Sequence, residues 1–345
     1  MPAEKAAQEG TSMKSRIPSF GQAMALALTF AAGALANGPA QAQGANWPQQ
    51  KPIVFVVPFP AGGGTDAFAR PLAVQLESQI GQRIVIENRG GAGGTVGASF
   101  AAKQAGDGYT FFIGAAHHAI APALYPKLDY DIEKDFAPIG VVAQPPQVIV
   151  VNPKAVTAKD LKDFIAYAKQ NPDKLNYGSA GNGTTHHLAG ELFNILAGAK
   201  LTHVPYRGAG PAMQDLVSGH IQMMFDGLGS SAGQIEGGAL RALAVAAPKR
   251  AAAFPDVPTA AEAGLAGYEV STWYAMWAPK GAPAPVLARM TDELKKALAA
   301  PAVIEAWRKN GSDAPNLYGA DFAKFVTAEI ARWGDVVRKA NVKLD

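Results

Sequence analysis

The chain has 345 residues, a formal net charge of +3, and 48% apolar against 17% charged residues. That composition excludes intrinsic disorder, and a near-neutral balance without basic runs excludes nucleic acid as a partner. The absence of cysteine excludes thiol catalysis, Cys-ligated metal and a lipid-modified cysteine, and a core of this size needs no disulfide.

Taken in chain order, the start does not read as fold. Residues 1–12 form a polar extension, Met13-Lys14-Ser15-Arg16 a basic region, and 23–36 an apolar stretch that ends before Ala40-Gln41-Ala42. This is the layout of a secretory signal peptide, so residues 1–42 are expected to be removed and the mature chain to be exported, free of a lipid anchor. Roughly 300 residues remain, which suits two domains. No later segment approaches the length of a membrane span.

The mature part alternates apolar runs with helical patterns, an α/β signature. Strands are expected at 53–58, 83–87 and 109–114, and a helix at 66–80 with Phe68, Leu72, Leu76 and Ile80 at four-residue spacing. The run 140–152, broken by Pro145-Pro146, reads as a crossing strand into a second lobe. Thr157 is expected to cap a helix at 158–170, with Asp160 at the capping-box position. Strand 175–178, helix 184–197, strand 201–206, helix 211–218 and strands 221–226 and 240–246 follow, and Thr259 with Glu262 is another capping-box signal. The segment 268–279 reads as a long extended return, and two helices at about 285–299 and 321–340 complete the chain. Lobe 1 is therefore expected to hold 43–145 and 270–345, and lobe 2 to hold 146–269.

Two glycine turns carry the functional signal. Ala61-Gly62-Gly63-Gly64-Thr65-Asp66 follows the first strand, and Gly181-Asn182-Gly183-Thr184 follows the strand at 175–178. A strand, a glycine turn and a helix start present free N–H groups and the positive end of a helix dipole. That makes an anion site without a cationic side chain. One such site in each lobe implies a small anion held between them. Thr65 and Asp66 can equally cap their own helix. The first turn formally fits a dinucleotide fingerprint, but Phe59-Pro60-Ala61 separates its glycines from the strand by too much, and it lacks a Walker A ending. No cofactor is implied.

Six histidines occur, four of them in two adjacent pairs, but no metal-site spacing exists. His117 is placed facing the cleft, His118 as a neutral loop donor, and His187 as a packed first-turn residue. An imidazolium at His117 strengthens carboxylate binding as pH falls toward about 6. Arg207 either clamps a second carboxylate or pairs internally with Asp215 or Asp226. Asp226 ends a strand, where cleft residues of α/β sheets stand. Phe59, Trp273 and Tyr274 are wall or core, with Trp273 assigned to the core. No nucleophile motif of the G-x-S-x-G kind is present, and nothing else requires catalysis.

At this point the residues match a known pattern. Pro58–Asp66 (PFPAGGGTD), Glu87–Gly94 (ENRGGAGG), His118-Ala119-Ile120, Tyr130-Asp131 and Asp135–Pro138 stand in order. Gly181–Thr184, His187–Phe193 (HLAGELF), His203–Gly208 (HVPYRG), Pro255–Thr259 and Glu262-Ala263-Gly264 continue it. Over 47–345 the chain resembles the extracytoplasmic solute receptors of tripartite tricarboxylate transporters, the Bug family. The resemblance implies a type II periplasmic-binding fold, two α/β lobes joined by two crossing strands around a ligand cleft. It implies a periplasmic, non-enzymatic and monomeric receptor that passes an organic mono- or dicarboxylate, aromatic ones included, to membrane permease subunits. In that family the first-lobe loop, here Ala61 to Asp66, and the second-lobe loop, here Gly181 to Thr184, hold one carboxylate through backbone groups and waters. One departure is His117, where members commonly carry a small residue. Two other uses of the same module stay open: an exported enzyme using Asp66 or His117 as acid and base, and a sensor presenting its ligand to a membrane kinase.

Overall fold

The structure is a computed structural model that describes residues 47–313, 315–340 and 342. The leader expected at 1–42 lies outside the described residues. The first half runs β1 (Ile53–Val57), α1 (Gly64–Ile80), β2 (Ile84–Asn88), α2 (Thr95–Ala102), β3 (Thr110–Ala115), α3 (His117–Leu124) and β4 (Phe136–Ala143). The second runs β5 (Gln147–Val151), α4 (Leu161–Gln170), β6 (Asn176–Ser179), α5 (Thr185–Ala197), β7 (Thr202–Pro205), α6 (Ala209–Ser218), β8 (Met223–Gly227), α7 (Leu228–Glu236) and β9 (Arg241–Val245). The chain then returns through β10 (Tyr274–Pro279) to α8 (Ala284–Leu298), α9 (Pro301–Lys309) and α10 (Gly319–Ala340).

Two five-stranded sheets result, in the orders β2-β1-β3-β10-β4 and β7-β6-β8-β5-β9. Each has the same plan. Three strands pair in parallel, β1 with β2 and β3, and β6 with β7 and β8. One antiparallel strand is contributed by the crossing segment: β10 in the first sheet, β5 in the second. β1 and β3 are nearly continuous apolar runs because helices cover both faces of the sheet.

The two crossing segments run side by side. Gln147 N donates to the Val270 carbonyl at 3.1 Å and Thr272 N to that of Pro145 at 3.4 Å. The chain end braces this junction. The Trp273 and Trp333 indoles both donate to the buried Glu329 carboxylate, at 2.9 and 3.1 Å. Trp273 is therefore core, as expected from its sequence context.

Several elements differ from the sequence reading. Helix α4 starts at Leu161, and its cap is Asp160, which accepts from Asp163 N at 2.8 Å. Thr157 lies outside it, because an Asp at the N-cap satisfies the same orphan N–H. Thr259 and Glu262 do make a reciprocal capping box, 3.1 and 2.7 Å, but the chain turns away before a helix forms. Within 268–279, only Tyr274–Pro279 is a strand. Three helices were not anticipated: α3, α7 and α9. α3 and α7 carry Pro122 or Gly-Ser-rich sequence, and both start directly at a strand end.

Candidate functional site

The start of α1 lies against the second half, where a Cβ on Gly63 would come 3.6 Å from Gly210 N at the start of α6. Its N-cap is Gly63, which makes no side-chain bond. The N–H groups of Gly63, Gly64, Thr65 and Asp66 meet no acceptor among the described residues. Asp66 is not their cap. Its Oδ2 accepts from Gly62 N at 3.0 Å and Arg70 Nε at 2.7 Å, and Oδ1 accepts from Asn88 Nδ2 at 3.1 Å. Burial alone would raise this carboxyl, but the bonds from Arg70, Gly62 and Asn88 outweigh it and leave it below the ordinary value. Asp66 thus ties the glycine turn into shape from behind. Gly64 sits where a Cβ would come 2.1 Å from Tyr274 Oη, so only glycine allows the helix start to close on the crossing strand.

The second glycine turn leads into α5 in the other half. The Gly181 carbonyl accepts from Thr184 N at 3.3 Å and from the Thr184 hydroxyl at 2.7 Å, so Thr184 rigidifies its own turn. Gly181 N donates to Ser179 Oγ and Gly183 N to His187 Nδ1, at 3.1 and 3.2 Å. The N–H groups of Asn182 and His186 meet no acceptor among the described residues. The Asn182 carbonyl faces outward to the Tyr125 hydroxyl, 3.1 Å away in the other half. His187 is buried and stacks on His203 with ring centroids 4.0 Å apart, as a packed first-turn residue should.

Beside the start of α5 lies a buried polar cluster. His117, on the first turn of α3, places Nδ1 3.5 Å from both Thr185 N and Thr185 Oγ1. Its ring meets Phe59 edge-on at 5.1 Å and His186 at 5.8 Å. His186 Nε2 lies 3.2 Å from Asp226 Oδ1, and Asp226 also accepts the Ser230 hydroxyl at 2.8 and 2.7 Å. Burial, then the neighbouring His186 and His118, hold the His117 imidazole well below its ordinary pKa. It is therefore neutral, which reverses the imidazolium expected there.

Two other expectations change, those for His118 and for the internal pairing of Arg207. His118 is not a loop donor. It is the second residue of α3, fully enclosed and stacked on Phe112 at 4.8 Å, with neither ring nitrogen bonded among the described residues. Burial lowers its pKa to about 3. Phe59 forms a small apolar contact with Ala180 and Ala209 of the second half, so it plugs the closed cleft. Arg207 pairs with neither Asp215 nor Asp226. Asp215 takes the Tyr206 hydroxyl at 2.7 Å and His220 at 3.3 Å. Arg207 is exposed and lines a cavity of about 280 Å³ at the cleft rim with Gly93, Tyr125, Gly181 and Asn182.

Ala61 and Gly62 are exposed, whereas Gly63, Gly64 and Thr65 are buried. His117 and Asp226 meet through His186, Gly181 and Asn182 line one cavity with Arg207, and His118 is enclosed against Phe112. Sequence reasoning missed His186, Thr185 and Ser230, and the bonds of Gln147 and Thr272 between the crossing segments. Their only signal is position, one turn beyond a strand end or at the crossing. Among the described residues, no group of three or more His, Asp or Glu side chains is arranged to hold a metal.

The model of the tripartite tricarboxylate transporter family receptor matches residues 68–342. Among solved structures, the periplasmic binding protein BugD is 35% identical, with a TM-score of 0.82 over 85% of this chain and 99% of that one. The R. palustris protein Rpa4515 with adipate is 37% identical, TM-score 0.83, over 86% and 99%. MatC (Rpa3494) from Rhodopseudomonas palustris with bound malate is 36% identical, TM-score 0.79, over 84% and 99%. These are solute-binding receptors and not enzymes. The chain belongs to the family of tripartite tricarboxylate transporter receptors.

Proposed function

We propose that this chain is a periplasmic receptor that closes its two halves on a small organic carboxylate and delivers it to the permease subunits of a tripartite tricarboxylate-type transporter. The observation that carries the reading is the pair of helix starts, α1 and α5, one in each half, whose caps make no side-chain bond and leave N–H groups without an acceptor among the described residues. Helix N-termini favour an anion without a cationic partner. The similarity to receptors solved with adipate and with malate supports a carboxylate as that anion. The site residues are Gly63, Gly64, Thr65, Asn182, Thr184, His117 and Asp226, with Asp66 as the brace behind them. Lobe boundaries near 145 and 270 follow from the crossing segments. The chain acts as a monomer in the periplasm, with its leader at 1–42 removed.

Isothermal titration with a panel that includes adipate, malate and aromatic monoacids tests the receptor reading. One acid should bind with a stoichiometry of about one per chain, as a single cleft between two lobes requires. Saturable binding of sugars or amines with no acid bound overturns it. Uptake of the bound acid by cells lacking the permease overturns the transport step alone.

A further inference from the structure

Tyr125 follows the last turn of α3 as its C-cap. Its hydroxyl lies 3.0 Å from the Ala92 carbonyl, in its own half, and 3.1 Å from the Asn182 carbonyl, in the other. Carbonyls only accept, so the hydroxyl donates its one hydrogen between them. Burial raises the Tyr125 pKa above its ordinary value, and that hydrogen stays in place.

The two ends of this bridge differ. The Ala92 end is built within one half. Ala92 holds φ at +43°, a left-handed conformation uncommon for alanine. Its carbonyl also accepts the Thr95 hydroxyl, at 2.9 Å. The Tyr125 hydroxyl is therefore aimed whether or not the other half is near. The Asn182 end exists only when the halves meet. There the Asn182–Gly183 peptide gives its carbonyl to Tyr125 and its N–H to His187 Nδ1, at 3.2 Å. One polar group of this peptide is held from each half. Gly183, at φ +74°, has the backbone freedom to let the peptide turn over, and the two bonds together select one orientation. The contact leaves no room for side chains. A Cβ on Gly93 would fall 2.7 Å from Tyr125 Oη and 2.8 Å from the Asn182 carbonyl, and one on Gly183 would fall 2.8 Å from Leu124 Cδ1.

We infer that Tyr125 is a positioning residue of the receptor: on closure its hydroxyl latches the two halves at Asn182 and fixes the glycine turn before α5 for the bound anion, acting through that turn and not on the ligand. This rests on the carboxylate-receptor reading above. Capture takes place with the halves apart, so the latch governs release and not capture. Tyr125→Phe keeps the ring but leaves the Ala92 and Asn182 carbonyls converging with no hydrogen between them, a loss the closed state alone feels at Asn182.

The test is stopped-flow kinetics on the mature receptor with adipate, malate and benzoate as probes. For each acid that binds, Tyr125→Phe should dissociate about three- to tenfold faster, the worth of one net hydrogen bond, with association within about twofold of wild type. Carbonyl carbon NMR separates a latch from a merely structural tyrosine. Saturation should move the Asn182 carbonyl resonance in wild type and leave it in place in Tyr125→Phe. If the variant fails to fold, the wild-type resonance decides, and no shift on saturation overturns the latch. An unchanged dissociation rate, or a carbonyl shift that persists in the variant, also overturns it while leaving the receptor reading intact. Failure of all three acids and of the wider acid panel to bind overturns the carboxylate reading and this one with it.

Discussion

His117 shows how burial can reverse the sign of a residue's effect. Closed, it faces His118 and His186, with Asp226 behind the latter, and its pKa is well below the ordinary imidazole value. Open to water it regains that value. The closed state then binds fewer protons, so closure weakens as pH falls through the ordinary imidazole range. Affinity for a bound acid should drop by at most about tenfold per pH unit below about 6.5. Calorimetry from pH 8 to 5.5 on wild type and His117→Ser measures it, and tighter binding at low pH would contradict the neutral ring. Asp66 gives the opposite sign. Its carboxyl is depressed, so its stabilisation is present above the ordinary carboxylate pKa and lost as pH falls below it. Asp66→Asn should cost about 1–3 kcal/mol at pH 7. The deficit should shrink at the acid end of a denaturation series. Arg207, being exposed, should matter little: Arg207→Ala should change affinity for mono- and diacids alike by less than about threefold, mostly through a salt-dependent association rate.

At the level of elements, the glycine turns do more than permit unusual dihedrals. Gly64 has ordinary helical geometry, and what requires glycine there is Tyr274 Oη at 2.1 Å from a notional Cβ. Gly64→Ala should destabilise the protein by about 1–3 kcal/mol, the usual cost of overpacking. Tyr274→Phe removes the clashing oxygen and should recover part of that loss in the double variant. Simple addition of the two losses in chemical denaturation would show that the two sites do not touch. Gly62, with φ at +82° and nothing within 4 Å of a Cβ, needs glycine for its backbone conformation instead. The sequence distinguishes neither case, because it shows the glycines and not their neighbours.

For the whole molecule, function rests on two halves approaching closely. Gly210, in the first turn of α6, would put a Cβ 2.9 Å from the Ala61 carbonyl of the other half. Gly208 likewise faces Pro60, at 2.7 Å. Gly210→Val should leave the unliganded fold intact, since valine is a better helix residue than glycine. It should nevertheless weaken binding by about tenfold or more, because closure is blocked. Small-angle scattering with saturating ligand should show wild type contracting and the variant unchanged. Wild-type affinity in the variant would rule out closure through this contact.

The sequence by itself determined the α/β alternation, the crossing near Pro145-Pro146, and the two glycine turns that begin α1 and α5. Each is written in local spacing: period-two and period-four apolar patterns, proline breaks, and glycines after a strand. Only the tertiary structure decided what surrounds the turns. His186 meets His117 and Asp226 because three separate elements end at one place. His118 lies outside the site because α3 turns it onto Phe112. Asp226 accepts from Ser230 and His186, and Arg207 stays at the rim, because the sheet order sets β8 and the loop after β7 at different depths. Side-chain burial and hydrogen-bond partners depend on contacts between residues far apart in the chain. For that reason the two glycine turns were legible from the sequence, and the contacts of the buried cluster were not.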